Sequence, residues 1–137
     1  MQTIQIAAAV LHRDGKVLFA RRRTGKANAG LWEFPGGKIE AGETAVAALE
    51  REIGEEFGAA IQVGEALPPF VAEMPSMRIH FHCFLATLLT PIAHMTDHDA
   101  VQWVAVADCR QVSPLSPADQ PIVDWLGQHA LPDPSRI

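Results

Sequence analysis

The sequence predicts an α/β domain built on a mixed sheet. Three observations carry this. Two apolar segments flank an Asp-Gly dipeptide near the start, one amphipathic helix follows a glycine-rich turn, and further strand-like runs precede a last helical segment. A chain of 137 residues with 48% hydrophobic content makes one ordinary domain that buries roughly two thirds of its unfolded surface. Residues 1–130 are expected to form it, and residues 131–137, LPDPSRI, to be a frayed tail.

Residues 4–11 and 17–22 read as two antiparallel strands, because Asp14-Gly15 between them favours the left-handed conformations of a tight hairpin turn. The following RRRTGKANAG is polar, basic and glycine-containing, and is expected as a loop at the mouth of a site. Leu31-Trp32-Glu33-Phe34 then reads as a short strand stopped by Pro35-Gly36-Gly37. Residues 44–57 are predicted as one helix, with Thr44 as N-cap and Gly58 where a left-handed residue is wanted. Val46, Leu49, Ile53 and Phe57 recur along it at helical period as an apolar stripe. Gly54 inside the helix costs about 1 kcal/mol relative to alanine, so either something packs closely against it or the helix is locally weaker. Residues 61–71, 78–89 and 101–104 read as strands and 117–128 as a closing helix. No repeat or low-complexity segment interrupts this order.

Composition narrows the function. A net charge of −5 argues against a nucleic-acid polymer as partner, since such proteins present a basic patch or stripe. An anionic substrate must then be met through bound cations and a few arginines. Cys83 and Cys109 lack the short paired spacing of zinc sites and read as buried thiols. The apolar run at the start is far too short to span a bilayer and has no signal-peptide layout, so a cytoplasmic protein is expected.

Glu52, Glu55 and Glu56 stand at i, i+3 and i+4 and therefore project from one face of the predicted helix, beside the apolar stripe. Each like-charge pair costs roughly 0.2 to 0.5 kcal/mol, so the cluster calls for a compensating cation. Oxygen-only ligands point to Mg²⁺, with Mn²⁺ able to substitute, and magnesium is commonly shared between a few carboxylates and the phosphates of a substrate. The plainer alternative is a solvated acidic helix face. It leaves the flanking glycines and Arg51 in register without a reason.

Gly37, Glu43, Arg51-Glu52-Ile53, Glu55-Glu56 and Gly58-Ala59 together read G-x5-E-x7-R-E-U-x-E-E-x-G-U, with U apolar or small. This resembles the signature of the Nudix hydrolases. IQIAAAV, the arginines of the second strand, LWEFPGGKIEAGE and LSPADQPIVDWL extend the likeness to the MutT-type nucleoside triphosphate pyrophosphohydrolases, with residues 59–100 the least diagnostic. The resemblance implies an α/β/α sandwich and hydrolysis of a nucleoside triphosphate to monophosphate and pyrophosphate. It also implies that Glu52, Glu55 and Glu56 are the catalytic, magnesium-holding carboxylates, with the Gly36 carbonyl as a backbone ligand and Glu52 or Glu55 as base. Asp97, six residues before Trp103, matches an acidic loop residue of these enzymes that is glutamate there, which leaves open whether it is ligand or base. Gly37, Glu43, Arg51 and Gly58 would be structural, Glu43 and Arg51 as an ion pair orienting loop and helix.

Substrate binding on the same likeness falls to Arg22 for the triphosphate, Phe34 for the base, and Arg78 and Asp119. Arg21 and Arg23 would be solvated on the other face of the strand. Phe34 reads equally as a core aromatic. The oxidised-guanine branch has asparagine at the position of Asp119, whereas the cytidine triphosphate branch has Pro-Ala-Asp and a similar RIHFH and Asp97-His98. An ionised carboxylate only accepts hydrogen bonds, which suits an exocyclic amino group, while a protonated one suits an oxidised purine. Asp119 is alternatively a cap of the last helix. Two substrate readings therefore stand, oxidised guanine nucleotides such as 8-oxo-dGTP and cytidine or 5-substituted deoxycytidine triphosphates. A catalytically silent nucleotide-binding Nudix module is the rival of another class. A monomer or homodimer fits either. His80 and His82 share a strand face, and His12, His94 and His129 read as surface residues.

Overall fold

The computed structural model describes residues 2–129 and 131, so residues 132–137 of the expected tail lie outside it. Strand β1 (Gln2–Arg13) turns into β2 (Lys16–Arg22) through Asp14 at φ 53° and Gly15 at φ 78°. Both turn residues are left-handed, as a two-residue hairpin requires. Then come β3 (Trp32–Glu33), β4 (Gly36–Lys38), helix α1 (Ala45–Phe57), β5 (Ile61–Ala66), β6 (Phe70–Met74), β7 (Met77–Leu88), β8 (His98–Ala105) and helix α2 (Gln120–Leu126). Short 3₁₀ turns occupy Val106–Gln111 and Pro117–Asp119.

The sheet is mixed: β1 runs parallel to β7 and antiparallel to β4, while β5 and β6 lie antiparallel to β7 and β2 carries β3 and β8. Its pleat sorts the core onto two faces. Ala8 and Val10 of β1 with Val17 and Phe19 of β2 join α2 on one side, whereas Ala7, Ala9, Leu11, Leu18 and Ala20 meet α1 on the other. Helix, sheet and helix thus stack as the expected α/β/α sandwich.

Four expectations shift. The strand expected over 31–34 is only Trp32–Glu33 and does end before Pro35, but Gly36 and Gly37 begin a further strand, β4, opposite Ala8 and Ala7 of β1. The strand expected over 61–71 breaks at Leu67-Pro68-Pro69, where proline supplies no N–H to a ladder. The closing helix starts as a 3₁₀ turn and becomes α-helical only from Gln120 to Leu126. Val46, in the first turn of α1, is 37% exposed, and Ala48 is buried with Leu49, Ile53 and Phe57.

The helix signals hold. Thr44 Oγ1 accepts from Ala47 N at 3.1 Å, and Gly58 closes the helix at φ 59° with its N–H on the Gly54 carbonyl. A side chain at Gly58 would strike the His94 ring, which itself bonds the Glu55 carbonyl at 3.0 Å. Nothing approaches Gly54, so close packing is not its reason. Both cysteines are free and buried.

Candidate active site

Residues 33–37 place the site. Gly37 lies on β4 where a Cβ would overlap the Glu52 carboxylate, and Gly36 crosses Ala7 and Ala8 too closely for any side chain. Glycine is therefore required for the turn and helix α1 to meet. Arg51 fixes their relation. Its Nε and Nη2 donate to the Glu43 carboxylate at 2.7 and 2.9 Å, and its Nη2 also donates to the Lys38 carbonyl at 3.2 Å. This bidentate pair holds Glu43 down at about 2 and raises the guanidinium further. The structural ion pair expected of Glu43 and Arg51 is present.

Arg51 Nη1 reaches Glu52 at 2.9 Å and Glu55 at 3.3 Å, and the three box carboxylates are graded in exposure. Glu55 is open, with 62% of its side chain exposed, whereas Glu52 keeps 15%. Glu56 is buried, and its Oε2 has no hydrogen-bond partner. Burial, then the negative charges of Glu52, Asp97 and Glu33, push Glu56 up to about 9. Asp97 comes in from the loop before β8 and faces it. Burial works to raise Asp97, but the Lys26 ammonium at 3.1 Å and the Glu56 carboxyl outweigh it and hold Asp97 below the ordinary aspartate range.

Glu33, on β3, bonds the buried His98 Nε2 at 2.9 Å and lies 3.9 Å from Arg22. The register of β2 on β8 shifts between Arg21 and Arg22, pairing them with Ala100 and His98 and leaving Asp99 as the extra residue. Such a bulge re-aims side chains. Arg22 turns toward Glu33 and the Ala27 carbonyl, and Arg21 toward Asp99 and the Trp32 ring. Arg23 donates to the Thr96 carbonyl. Arg21 and Arg23 are thus engaged rather than simply solvated.

On the opposite face, Asp119 is buried and its Oδ2 accepts from the Phe34 N–H at 2.8 Å. It occupies the N-cap position of α2, but its side chain makes no capping bond there. Burial pushes Asp119 up to about 8 against the lowering effect of the Phe34 N–H. Of the two forms weighed for this carboxyl, burial favours the protonated one. Phe34 is 4% exposed and packs on Phe19 at 4.6 Å between ring centres, a core position that leaves little of its ring for a base. Arg78 is not brought to the site. Five residues along β7 from Cys83, or roughly 16 Å at strand rise, it is tied to Glu73 at 2.7 Å.

Among the described residues no three acidic, histidine or cysteine side chains close into one metal shell. Arg51 draws Glu52 and Glu55 toward itself and Lys26 draws Asp97, while Glu52 and Asp97 stay close enough to Glu56 to raise it. The donor set still fits a hard divalent ion. It is all oxygen, magnesium needs only a few carboxylates because it keeps its waters, and the orphaned buried Oε2 of Glu56 lacks a positive partner.

Sequence reading missed the Glu33–His98 pair and the role of Lys26. His98 was noticed beside Asp97, and Glu33 within LWEF, but their 65-residue separation hides the contact. Lys26 was only part of a basic loop. His82 bonds Gln5 at 2.7 Å across β7 and β1, and of the supposed surface histidines His12 is half-buried.

A glycine turn locked by Arg51 onto a helix that presents graded carboxylates is the architecture of one class of hydrolase. The Nudix domain family matches residues 1–126, and the chain belongs to it. It is 37% identical to the CTP pyrophosphohydrolase of Escherichia coli K12 over 90% of this chain and 91% of that one. It is 28% identical to the 8-oxo-dGTP diphosphatase of the same organism over 90% and 95%. The solution structure of the E. coli ORF135 protein superposes with a TM-score of 0.73 at 36% identity, covering 90% of this chain and 88% of that one. No helix among the described residues is long and apolar enough to cross a membrane.

Proposed function

We propose that this Nudix hydrolase is a magnesium-dependent nucleoside triphosphate pyrophosphohydrolase that releases nucleoside monophosphate and pyrophosphate, with cytosine triphosphates as its preferred substrates. The observation that carries the first part is the buried, unpartnered oxygen of Glu56 inside a carboxylate cluster that a glycine turn and Arg51 hold in place. Glu52, Glu55, Glu56, Asp97 and the Gly36 carbonyl are the groups that would hold the ions. Divalent ions there would neutralise phosphate charge and lower the pKa of the attacking water. Glu52 or Glu55 takes the proton of that water. Arg22, half-buried at the end of β2, grips phosphate oxygens.

Asp119 fits either base and leaves the ranking to the relatives. As a neutral carboxyl it offers one donor and one acceptor, so it accepts from cytosine N4 and donates to the ring nitrogen beside it. The same pair of groups also matches the carbonyl and N–H of an oxidised guanine, which keeps 8-oxo-dGTP as the second reading and house-cleaning of non-standard nucleotides as the role. The 37% identity to a CTP pyrophosphohydrolase favours cytosine. A cytoplasmic monomer or homodimer acting on free nucleotides is the setting this reading implies.

The test is product analysis with Mg²⁺ on CTP, dCTP, 5-methyl-dCTP and 8-oxo-dGTP. Pyrophosphate is the expected product, with kcat/KM at least tenfold higher for a cytosine nucleotide. Orthophosphate release would refute the reaction, and preference for 8-oxo-dGTP would refute the base. Glu52→Gln and Glu55→Gln should each lower kcat by at least one order of magnitude with the fold intact. Near-normal turnover in both variants, or no turnover by the parent on any nucleotide, would point to another base or to a silent binding module.

A further inference from the structure

We propose that Lys26 is an exchangeable counter-ion of this site: it neutralises Asp97 while divalent ions are absent, and once they displace it its ammonium binds the phosphates of the substrate. The inference rests on the metal-dependent reading above and names a further substrate-binding residue for it.

Among the described residues Arg51, Arg22 and Arg23 are each anchored to a backbone carbonyl, and Lys26 is not. Arg51 spans Glu43, Glu52, Glu55 and the Lys38 carbonyl. Arg22 is held between Glu33 and the Ala27 carbonyl, and Arg23 by the Thr96 carbonyl. The Lys26 side chain, in contrast, is 40% exposed, and among the described residues its one ion pair is the 3.1 Å contact with Asp97 Oδ1. Asp97 is also the acidic group that a metal-dependent site must free, because an oxygen facing an ammonium is not facing a divalent ion. A half-exposed ion pair is worth little, so a divalent ion displaces it readily.

Where the ammonium goes follows from its tether. Lys26 sits in the loop between β2 and β3, beyond the sheet edge, with Gly25 at φ 91° and Asn28 at φ 61° bending the chain on either side. A compact charge on a flexible four-carbon stem swings several ångströms without backbone movement. A triphosphate bound to ions beside Asp97 lies within that arc. The exchange keeps the cluster compensated in both states, and it gives a net-acidic chain a second cation, beside Arg22, for an anionic ligand.

The experiment measures Mn²⁺ binding to the nucleotide-free protein by electron paramagnetic resonance, for the parent, Lys26→Met, Arg23→Met and Asp97→Asn. Arg23→Met removes from the same loop a positive charge whose side chain bonds the Thr96 carbonyl and not the Asp97 carboxylate, and it keeps the Arg23 backbone N–H on the Asp97 carbonyl. Lys26→Met should tighten Mn²⁺ binding about threefold, the scale of a half-exposed ion pair, with Arg23→Met unchanged and Asp97→Asn weakened. With Mg²⁺ present, Lys26→Met should bind a nonhydrolysable nucleoside triphosphate about tenfold more weakly by calorimetry. Unchanged Mn²⁺ affinity in Lys26→Met, equal tightening in both charge-removal variants, or unchanged nucleotide affinity would each overturn the exchange while leaving the metal reading intact if Asp97→Asn is weakened. Unchanged Mn²⁺ binding in Asp97→Asn would overturn both.

Discussion

Replacing Asp119 by asparagine keeps the shape of the side chain and its acceptor for the Phe34 N–H, and removes its proton equilibrium. The carboxyl, ordinarily near 3.8, is pushed up to about 8 by burial in the folded chain. Between those values the folded protein holds a proton that the unfolded chain releases. Rising pH therefore favours unfolding, and this group costs stability progressively from pH 4 until the cost is complete near pH 8. At about 1.4 kcal/mol per pH unit the full cost is on the order of 5 kcal/mol, and between pH 5 and pH 7 about 3 kcal/mol accrues. Asparagine carries no such cost. Urea denaturation of both proteins at pH 5, 6, 7 and 8 should give a stability gap that widens steadily in favour of Asp119→Asn. A gap constant within about 0.5 kcal/mol across that range would refute the protonated, buried carboxyl and with it the donor assigned to base reading.

Three further outcomes follow from the same geometry. Gly37→Ala drives a Cβ into the Glu52 carboxylate, so kcat should fall about a hundredfold with secondary structure intact by circular dichroism, and activity within twofold of the parent would contradict the placement. Gly58→Ala must hold alanine at φ 59° against the His94 ring, which should cost at least about 1 kcal/mol in urea denaturation. Glu56 is held up at about 9 by burial and neighbouring charge, so Glu56→Gln should stabilise the fold at pH 7, by a margin that grows from pH 5 to pH 8 in urea denaturation, while turnover collapses. A large stability loss would show that the carboxyl is ionised in the fold.

What could be read in advance was whatever local chemistry dictates. Asp14-Gly15 specifies its hairpin, Thr44 and Gly58 specify the ends of α1, and the i, i+3, i+4 spacing puts Glu52, Glu55 and Glu56 on one side of it. The misreadings arise where tertiary partners decide. Val46 carries the right period but stands in the first turn and stays exposed, and Arg78 has the right residue type but spends its charge on Glu73. The sequence leaves Asp119 open between ionised and protonated because nothing local reveals its burial against the Phe34 amide. The Glu33–His98 pair and the Lys26–Asp97 contact join positions 65 and 71 residues apart, and only the register of β2 on β8 brings them together.

The stretch from Glu33 to Gly37 touches both faces of the sheet: the Phe34 amide meets Asp119 on the α2 side, and Gly37 admits Glu52 on the α1 side. Five consecutive residues therefore act as an axle between two workshops whose common wall is otherwise β1 and β2. If the base is read from Asp119 as proposed, drift in the α2 compartment retunes which ring is admitted without disturbing how the anhydride is cut. A scaffold partitioned in this way diversifies by changing its gatekeeper and leaving its blade alone.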